Sequence, residues 1–343
     1  PKGFFLPMIN SITSLNFTLN RSRESWVNLL LLVVIVSVPI IATLMDEVYY
    51  VNLSTRIIII AMAAVGLNFA LGFGGMVSFG HAAFFGLGGY VAGIAAFHAF
   101  EGTLFLGLIP TSDQMLLIWP VALLGAAMIA LLIGAISLRT QGVYFIMITL
   151  AFAQMIYYFS ISLTTYGGED GLSIILRNNF AIGNSNNPLH FFALCFFALL
   201  MSLWLSHRMV GSRFGAALTM AKLNETRLAT AGIEPYSIRL VAFVVSAMIT
   251  AFAGALFADL NGFVDPSMLS WHRSGEIIVI VVLGGVGRLF GPIAGAIAFV
   301  LLETFLGGFT DRWQLFLGLV LLGVVLFARG GLIGLMTGNA RHG

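Results

Sequence analysis

The stretch "GFGGMVSFGHAAFFGLGGY", residues 72–90, decides how the chain folds, because it places seven glycines, a serine and a histidine between two strongly apolar segments. A run of glycines allows a membrane helix to break, and the freed backbone groups must then bond to protein or to water in a cavity. The glycines before His81 therefore predict a helix break beside Ser78 and His81. The later glycines predict close packing of a neighbouring helix: Gly86, Gly88, Gly89 and Gly93.

Composition places the rest of the chain in a bilayer. Of the 343 residues, 59% are hydrophobic and 9% are charged, whereas about a quarter of a soluble chain is charged. Apolar runs near the roughly 20 residues that cross a bilayer recur along the sequence. We therefore predict an all-α, polytopic integral membrane protein with about ten transmembrane helices, the eighth too short to cross as an ordinary helix. The predicted spans are 26–44, 56–72, 82–98, 115–137, 142–162, 189–206, 238–260, 275–287, 291–308 and 313–328.

The basic residues predict the orientation of these spans. A cytoplasmic N-terminus places twelve of the 16 Lys and Arg residues on the cytoplasmic side, in keeping with the positive-inside rule. Both termini are then cytoplasmic, and a single transmembrane domain covers 26–328, between an N-terminal segment 1–25 and a tail 329–343. The two longest polar connections are an outer loop, 163–188, and an inner connection, 207–237, whose apolar spacing predicts a short cytoplasmic helix.

A second Gly-rich interruption, "VLGGVGRLFGPIAGAIAF" at residues 282–299, lies late in the chain. One early and one late interruption are typical of transporters whose pathway lies near the bilayer midplane. The residues predicted to break helices at the two places are Gly74, Gly75, Gly284, Gly285, Gly287, Gly291 and Pro292.

Ionisable and nucleophilic residues leave two alternatives to a plain passage. Glu276 and Glu303 are either interfacial charges or functional groups at membrane depth, as a secondary transporter requires. Ser78 and His81 are either a packed pair or, with Ser78 as nucleophile, part of an intramembrane hydrolase, although no third orienting group is visible. The six histidines form no close pair, so no metal site is predicted. The net charge of +2 predicts no nucleic-acid partner.

Five segments together resemble one family, the M-type permeases of branched-chain amino acid ABC importers. They are "GLNFALGFGGMVSFGHAAFFGLGGYVAG" (66–93), "QGVYFIMITLAF" (141–152), "YGGEDGL" (166–172), the region 211–256 that begins "GSRFGAAL", and "SGEIIVIVVLGGVGRLFGPIAGA" (274–296). The order of the segments matches the family as well as their residues. The resemblance implies the ABC importer permease fold and a non-catalytic membrane subunit that works by alternating access. The chain has no phosphate-binding Gly-x-x-x-x-Gly-Lys-Ser/Thr loop.

The resemblance also implies partners and a location. The expected partners are a homologous second permease, two cytoplasmic ATPase subunits that bind ATP and Mg, a periplasmic substrate-binding protein and membrane lipid. The expected location is the bacterial inner membrane. Branched-chain amino acids are the default solute, and urea, short-chain amides and other carboxylates are carried by related systems. No cofactor is expected in the chain itself.

Residues are carried over from the family motifs in two groups. The first group is assigned to the translocation path or its gate: Ser78, Gly80, His81, Tyr144, Phe145 and Glu276. The second group is assigned to coupling with an ATPase: Asn224, Glu225, Arg227, Ala229 and Gly232.

Overall fold

The protein is mainly helical in the computed structural model, which describes residues 23–105, 109–110, 113–175, 177–180, 187–309, 312–327 and 330–337. The predicted N-terminal segment lies outside the described residues up to residue 22. Within the described ranges the α-helices are α1 Arg23–Leu44, α2 Val48–Asn68, α3 His81–Glu101, α4 Met115–Ser137, α5 Val143–Ser162, α6 Pro188–Val210, α7 Arg213–Leu223, α8 Glu225–Thr230, α9 Pro235–Asn261, α10 Trp271–Gly284, α11 Gly291–Gly307, α12 Trp313–Phe327 and α13 Gly331–Thr337. The strands are β1 Leu104–Phe105, β2 Ile109–Pro110, β3 Leu172–Ser173 and β4 Phe263–Val264.

Seven of the described helices are long and apolar enough to cross a membrane, namely α1 to α6 and α9. The other three predicted spans coincide with α10, α11 and α12, which have 14, 17 and 15 residues. The prediction of an all-α polytopic membrane protein is thus confirmed. The largest error in a boundary is at α2, which begins at Val48 rather than 56, because Tyr49, Tyr50 and Asn52 are helical although they interrupt the apolar pattern.

Helix α9 is the centre of the packing, where it contacts α2, α3 and α4. Its approach to α3 is close enough to require glycine on both sides. A Cβ at Gly88 would overlap with the carbonyl of Ala251, and a Cβ at Gly254 would overlap with the carbonyl of Phe85. Small residues of this kind let two membrane helices pack backbone to backbone. The position of α3 against α9 is therefore tightly fixed.

The other glycines of α3 contact the connection that follows α9. Gly86 and Gly89 pack against Leu269 and Met268, and Gly93 packs against Val264. Leu269 and Met268 belong to a 3₁₀ turn, Pro266–Leu269. On the predicted packing face of α3, Gly88 thus contacts α9. The other three glycines contact the connection that follows α9. That segment runs along α3 toward the N-terminus of α3 before α10 begins.

Among the described residues, two short antiparallel ladders lie in the connections between helices. β1 pairs with β2, and β3 pairs with β4 in the register Leu172 to Val264 and Ser173 to Phe263. β3 belongs to the predicted outer loop 163–188, which also contains a 3₁₀ turn, Thr164–Tyr166. The β3–β4 ladder ties this loop to the segment between α9 and α10.

The inner connection contains two helices, although the sequence predicted one. Asn224 is extended between α7 and α8, and its side-chain oxygen accepts a hydrogen bond from the amide of Arg227 at 3.0 Å. An asparagine at this position caps the N-terminus of a new helix. Gly232 then has a φ of +81° and separates α8 from α9. The capping residue explains why the predicted single helix is divided.

Part of the predicted C-terminal tail is also packed rather than free. α13 contacts α1, α10 and α11, and Ile333 is buried. Gly331 has a φ of +67° and lies directly against Gly285, so neither backbone has room for a side chain. Residues 338–343 of the tail lie outside the described residues.

Candidate functional site

The first helix break separates α2 from α3. α2 continues into one π-helical turn, Phe69–Phe73, and helical structure resumes at His81 after the non-helical residues 74–80. The carbonyl of Gly72 accepts a hydrogen bond from Lys222 Nζ at 3.1 Å. Carbonyls in the last turn of a helix have no partner within the helix, and a side chain from elsewhere is one of the groups that can bond them. Here that side chain comes from α7.

His81 pairs with Ser246 rather than with Ser78. His81 Nε2 lies 2.6 Å from Ser246 Oγ, and the Ser246 hydroxyl donates to the carbonyl of Gly66 at 2.6 Å. Because the single hydroxyl proton is used on Gly66, Nε2 of His81 carries the hydrogen of the His81–Ser246 bond. Ser78 Oγ accepts from the amide of Gly80 at 3.1 Å instead. Both Ser78 and His81 are fully buried.

Aromatic rings enclose His81. Its ring meets those of Phe84 and Phe243 edge to face at 5.8 and 5.7 Å, and Phe145 contacts Phe243 at 6.1 Å. Among the described residues, His81 Nδ1 has no hydrogen-bond partner. A serine nucleophile requires a hydrogen bond from its hydroxyl to a base, and Ser78 does not make one to His81. The geometry is therefore not that of a hydrolase with Ser78 as nucleophile, and Ser78 and His81 do not form the expected pair: each is buried and bonded to another partner.

Two further hydroxyl groups hold the break in place. Ser274 Oγ, on α10, accepts from the amide of Ala82 at 2.8 Å and donates to the carbonyl of Phe79 at 2.6 Å. Thr149 Oγ1, on α5, accepts from the amide of Phe79 at 3.3 Å. Backbone groups at membrane depth must be satisfied within the protein. Side chains from α5, α7, α9 and α10 thus all bond to this break or to the helix ends that flank it.

The second break, between α10 and α11, lies directly against the first. Asn68 Nδ2 donates to the carbonyl of Arg288 at 2.9 Å, and Asn68 Oδ1 accepts from the amide of Gly287 at 2.9 Å. A Cβ at Gly72 would lie 2.6 Å from the amide nitrogen of Gly287. Gly285 and Gly287 have φ values of +121° and +75°, which favour glycine. One asparagine therefore joins the two breaks.

The residues assigned to a path or gate do not form one site. Ser78, Gly80, His81 and Phe145 are buried together around the first break, and Gly80 lies against Thr149. Tyr144 is 72% exposed at the start of α5. Glu276 lies on α10 and forms an ion pair with Arg273.

Glu276 and Glu303 are both ion-paired. Glu276 Oε2 accepts from Arg273 Nη1 at 2.7 Å, and Glu303 accepts from Arg56 Nη2 at 2.7 and 2.9 Å. Ionisable groups in spans typically pair with each other in this way. Both arginines line a polar cavity of about 350 Å³, which no residue of α7 or α8 lines.

The residues assigned to ATPase coupling lie on α8 and its flanks. Glu225 forms an ion pair with Arg239 of α9 and accepts from Gln141 Nε2 at 2.8 Å. The carboxylate of Glu225 is therefore already bonded to other residues of this chain. Asn224 caps α8, and Arg227, Ala229 and Gly232 are exposed.

Sequence reasoning missed the residues that connect these elements. Asn68 and Ser246 are isolated polar residues inside apolar runs, and that isolation is the signal that could have found them. Ser274 lies in the polar stretch 270–276, "SWHRSGE", which gives no such signal. Near the C-terminal end of α9, the buried carboxylate of Asp259 accepts from Asn178 Nδ2 at 2.8 Å. Burial lowers the pKa of the neighbouring Arg177 guanidinium, and the Asp259 charge opposes that shift.

No metal centre accompanies these residues. Across the described ranges, no three His, Cys, Asp or Glu side chains are grouped to hold a metal ion.

The fold and the broken helices define a class, the multi-pass membrane permeases. The chain matches the family described as "Branched-chain amino acid transport system / permease component" over residues 49–327, and it belongs to that family. It is 26% identical to the high-affinity branched-chain amino acid transport system permease protein LivM of Escherichia coli (strain K12), over 82% of this chain and 69% of that protein. It is 25% identical to the LivM protein of Salmonella typhimurium (strain LT2), with the same coverage. No solved structure matches the chain.

Family membership defines the role of the chain. It is a permease subunit of an ABC importer, a non-catalytic membrane subunit whose ATPase is a partner. A substrate-binding partner is implied as well. The expectation of a permease is thereby confirmed.

Proposed function

We propose that the chain forms the translocation path for branched-chain amino acids, and that an ATPase docked on α7 and α8 drives alternating access by moving the first helix break. The observation that carries this proposal is the hydrogen bond from Lys222 Nζ on α7 to the carbonyl of Gly72 at the end of α2. It connects the inner connection directly to the break.

The inner connection offers apolar anchors as well as charge. Met220, Leu223 and Ile233 are 51%, 75% and 40% exposed, and Arg227 is exposed beside them. We call these four residues the docking surface. Helices that bind in a groove use exposed apolar anchors of this kind, and a soluble ATPase with a complementary groove is the partner that the family implies. Asn224 and Gly232 shape the surface because they lie at the start and just after the end of α8, and Ala229 is exposed within that helix.

A displacement of α7 would be transmitted through direct contacts to both helix breaks. The aliphatic part of Lys222 packs on Gly75, and Leu218 packs near Gly74, so α7 contacts the first break through two side chains. Asn68 then joins the first break to the second. On the other side, Glu225 connects α8 to α9 through Arg239. A displacement of the docking surface therefore acts on α2, α9 and α10 together.

The rest of the complex follows the family. A homologous second permease pairs with this chain, two cytoplasmic ATPase subunits bind ATP and Mg, and a periplasmic protein delivers the solute. The complex lies in the bacterial inner membrane with both termini of this chain in the cytoplasm, as the basic residues favour. The names of the relatives support branched-chain amino acids as the solute.

Docking is tested by co-purification of the tagged chain from its native membranes. Leu223→Asp places a charge on the docking surface, so we expect it to reduce the recovered ATPase at least tenfold. Ile175→Asp changes an equally exposed apolar residue on the outer loop and is the control. Equal ATPase recovery with both variants would contradict the docking proposal.

Coupling is tested in proteoliposomes that contain the assembled complex, ATP and the binding protein. Lys222→Met keeps the packing on Gly75 and removes the bond to Gly72, so we expect leucine uptake per ATP hydrolysed to fall about tenfold. Arg213→Met removes a cation from the same helix, nine positions earlier, and should leave that ratio unchanged. A normal ratio for Lys222→Met would refute the proposed link.

A further inference from the structure

A polar cavity of about 350 Å³ lies between the outer parts of α2, α9 and α10, away from the docking surface. Its size falls within the roughly 300–1,000 Å³ of small-molecule sites. Arg56 lines it from α2, Asn261 from α9 and Arg273 from α10, and Asp265 lines it from the connection between α9 and α10. Ser267 of the same connection lines it as well, so three of its five polar lining residues are charged.

Arg56 and Arg273 are each held by an ion pair, but most of their N–H donors remain available for further hydrogen bonds. Arg56 uses only Nη2 on Glu303, and Arg273 uses only Nη1 on Glu276. A guanidinium has five N–H donors in a planar fork. Within the described part of the chain, no other hydrogen bond involves these two groups. The remaining donors suit a carboxylate, which guanidinium groups bind in a charge-assisted and often bidentate way.

Asp265 supplies the opposite charge. Its two oxygens accept from the amide and the hydroxyl of Ser267, each at 2.8 Å, which fixes the carboxylate at the start of the 3₁₀ turn. No Lys or Arg among the described residues forms an ion pair with it. A carboxylate oxygen can accept more than one hydrogen bond. Asp265 is therefore oriented and still able to accept from an ammonium group.

An apolar wall completes the cavity. Phe257, Phe263 and Met268 line it beside the charged residues, and the guanidinium of Arg273 lies 5.6 Å from the ring centre of Phe257. The cavity thus combines cations, an anion and apolar surface. An inorganic anion would require only the cations, and a metal ion or amine would require only the anion.

We propose that this cavity is an external binding site for an α-amino acid with an apolar side chain, bound as a zwitterion. Arg56 and Arg273 bind the carboxylate, Asp265 binds the ammonium group, and the side chain contacts Phe257 and Met268. The inference rests on the proposed function, because it assigns a binding site to the solute that the complex imports. It also gives Glu276 and Glu303 a role, which is to orient the two arginines.

The test measures binding of radiolabelled L-leucine to the detergent-purified complex without its periplasmic binding protein. Asp265→Asn keeps an acceptor for Ser267 and removes the charge. The double variant Arg273→Gln with Glu276→Gln removes a cation without leaving its carboxylate unpaired. Asp170→Asn, on the exposed outer loop, is the matched control. We expect the first two to weaken leucine binding at least tenfold and the control to bind as the unaltered complex does.

Two competitors separate the subsites. 4-Methylpentanoate lacks the ammonium group, so Asp265→Asn should leave its inhibition constant against radiolabelled leucine unchanged. L-Leucinol lacks the carboxylate, so its inhibition constant against radiolabelled leucine should be the same in the double variant as in the unaltered complex. Unaltered leucine affinity in both variants, or no saturable leucine binding by the unaltered complex, would overturn the site. Absence of ATP-dependent uptake of every branched-chain amino acid by the unaltered complex would instead refute the proposed function.

Discussion

The two helix breaks lie against each other, yet they are held by different kinds of contact. The backbone of the first break and its flanking residues bonds to side chains from other helices, among them Lys222, Thr149 and Ser274. The second break is held mainly by backbone pressed against backbone. There, Gly284 lies on Gly291, and Gly285 lies on Gly331.

From this difference we expect the first break to move more easily than the second. Side-chain hydrogen bonds can be exchanged one at a time, and part of the first break is exposed at Gly75 and Val77. Backbone contacts without Cβ atoms leave no such freedom, because interiors are close-packed. We therefore expect the first break to tolerate small truncations and the second break to reject small additions.

The largest effect is expected from Gly284→Ala in the second break. Its Cβ would overlap with the carbonyl of Gly291, and overpacking of this kind costs about 3 kcal/mol. Unfolding is followed by heating, labelling with a fluorescent maleimide and reading the band of this chain on a denaturing gel, since its single cysteine, Cys195, is buried. We expect the midpoint to fall by about 5–10 °C.

Gly275→Ala is the control for that variant, because the space around Gly275 on the same helix is open. A midpoint for Gly284→Ala within 1 °C of the control, a threshold of about the assay's precision, would show that the second break is as adaptable as the first.

An intermediate effect is expected from Asn68→Ala, which removes the connection between the breaks. It leaves the amide of Gly287 and the carbonyl of Arg288 without their bonds to Asn68, at a cost of about 2 kcal/mol. The same labelling assay should show a smaller fall in the midpoint than for Gly284→Ala. Asn52→Ala, at an exposed position of the same helix, should match the unaltered protein. Equal midpoints for the two asparagine variants would argue that the breaks are independent.

The smallest effect is expected from Ser274→Ala in the first break. Two bonds to Phe79 and Ala82 are lost, but Phe79 is only partly buried, so water can replace one of them. We expect a loss of about 1 kcal/mol and a small fall in the labelling midpoint. Ser162→Ala, whose hydroxyl bonds only within its own exposed helix end, is the control. A loss as large as that of Gly284→Ala would remove the distinction between the breaks.

Local patterns predicted much of the fold. Apolar length located all seven described helices that can cross a membrane. The limits of α4 were predicted to the residue because its uncharged run lies between Asp113 and Arg139. The divided inner helix was missed because Asn224 acts through a capping bond, which helical spacing does not reveal.

The candidate site was less predictable because its contacts join distant parts of the chain. Ser246 follows His81 by 165 residues, and Glu303 follows Arg56 by 247. Neither separation leaves a periodic signal. Asp265 was overlooked since an acid next to proline resembles an ordinary turn, and only the folded chain brings it to the same cavity as Arg56.

The bonds made by Asn68 can form only late in the synthesis of the protein. Its carbonyl partner, Arg288, lies 220 residues later. At about 5–20 residues per second, a ribosome needs roughly 10–40 s to add them. Lys222, which bonds Gly72, follows that glycine by 150 residues. The end of α2 therefore enters the membrane before its partners exist, and it is completed only when the last third of the chain arrives.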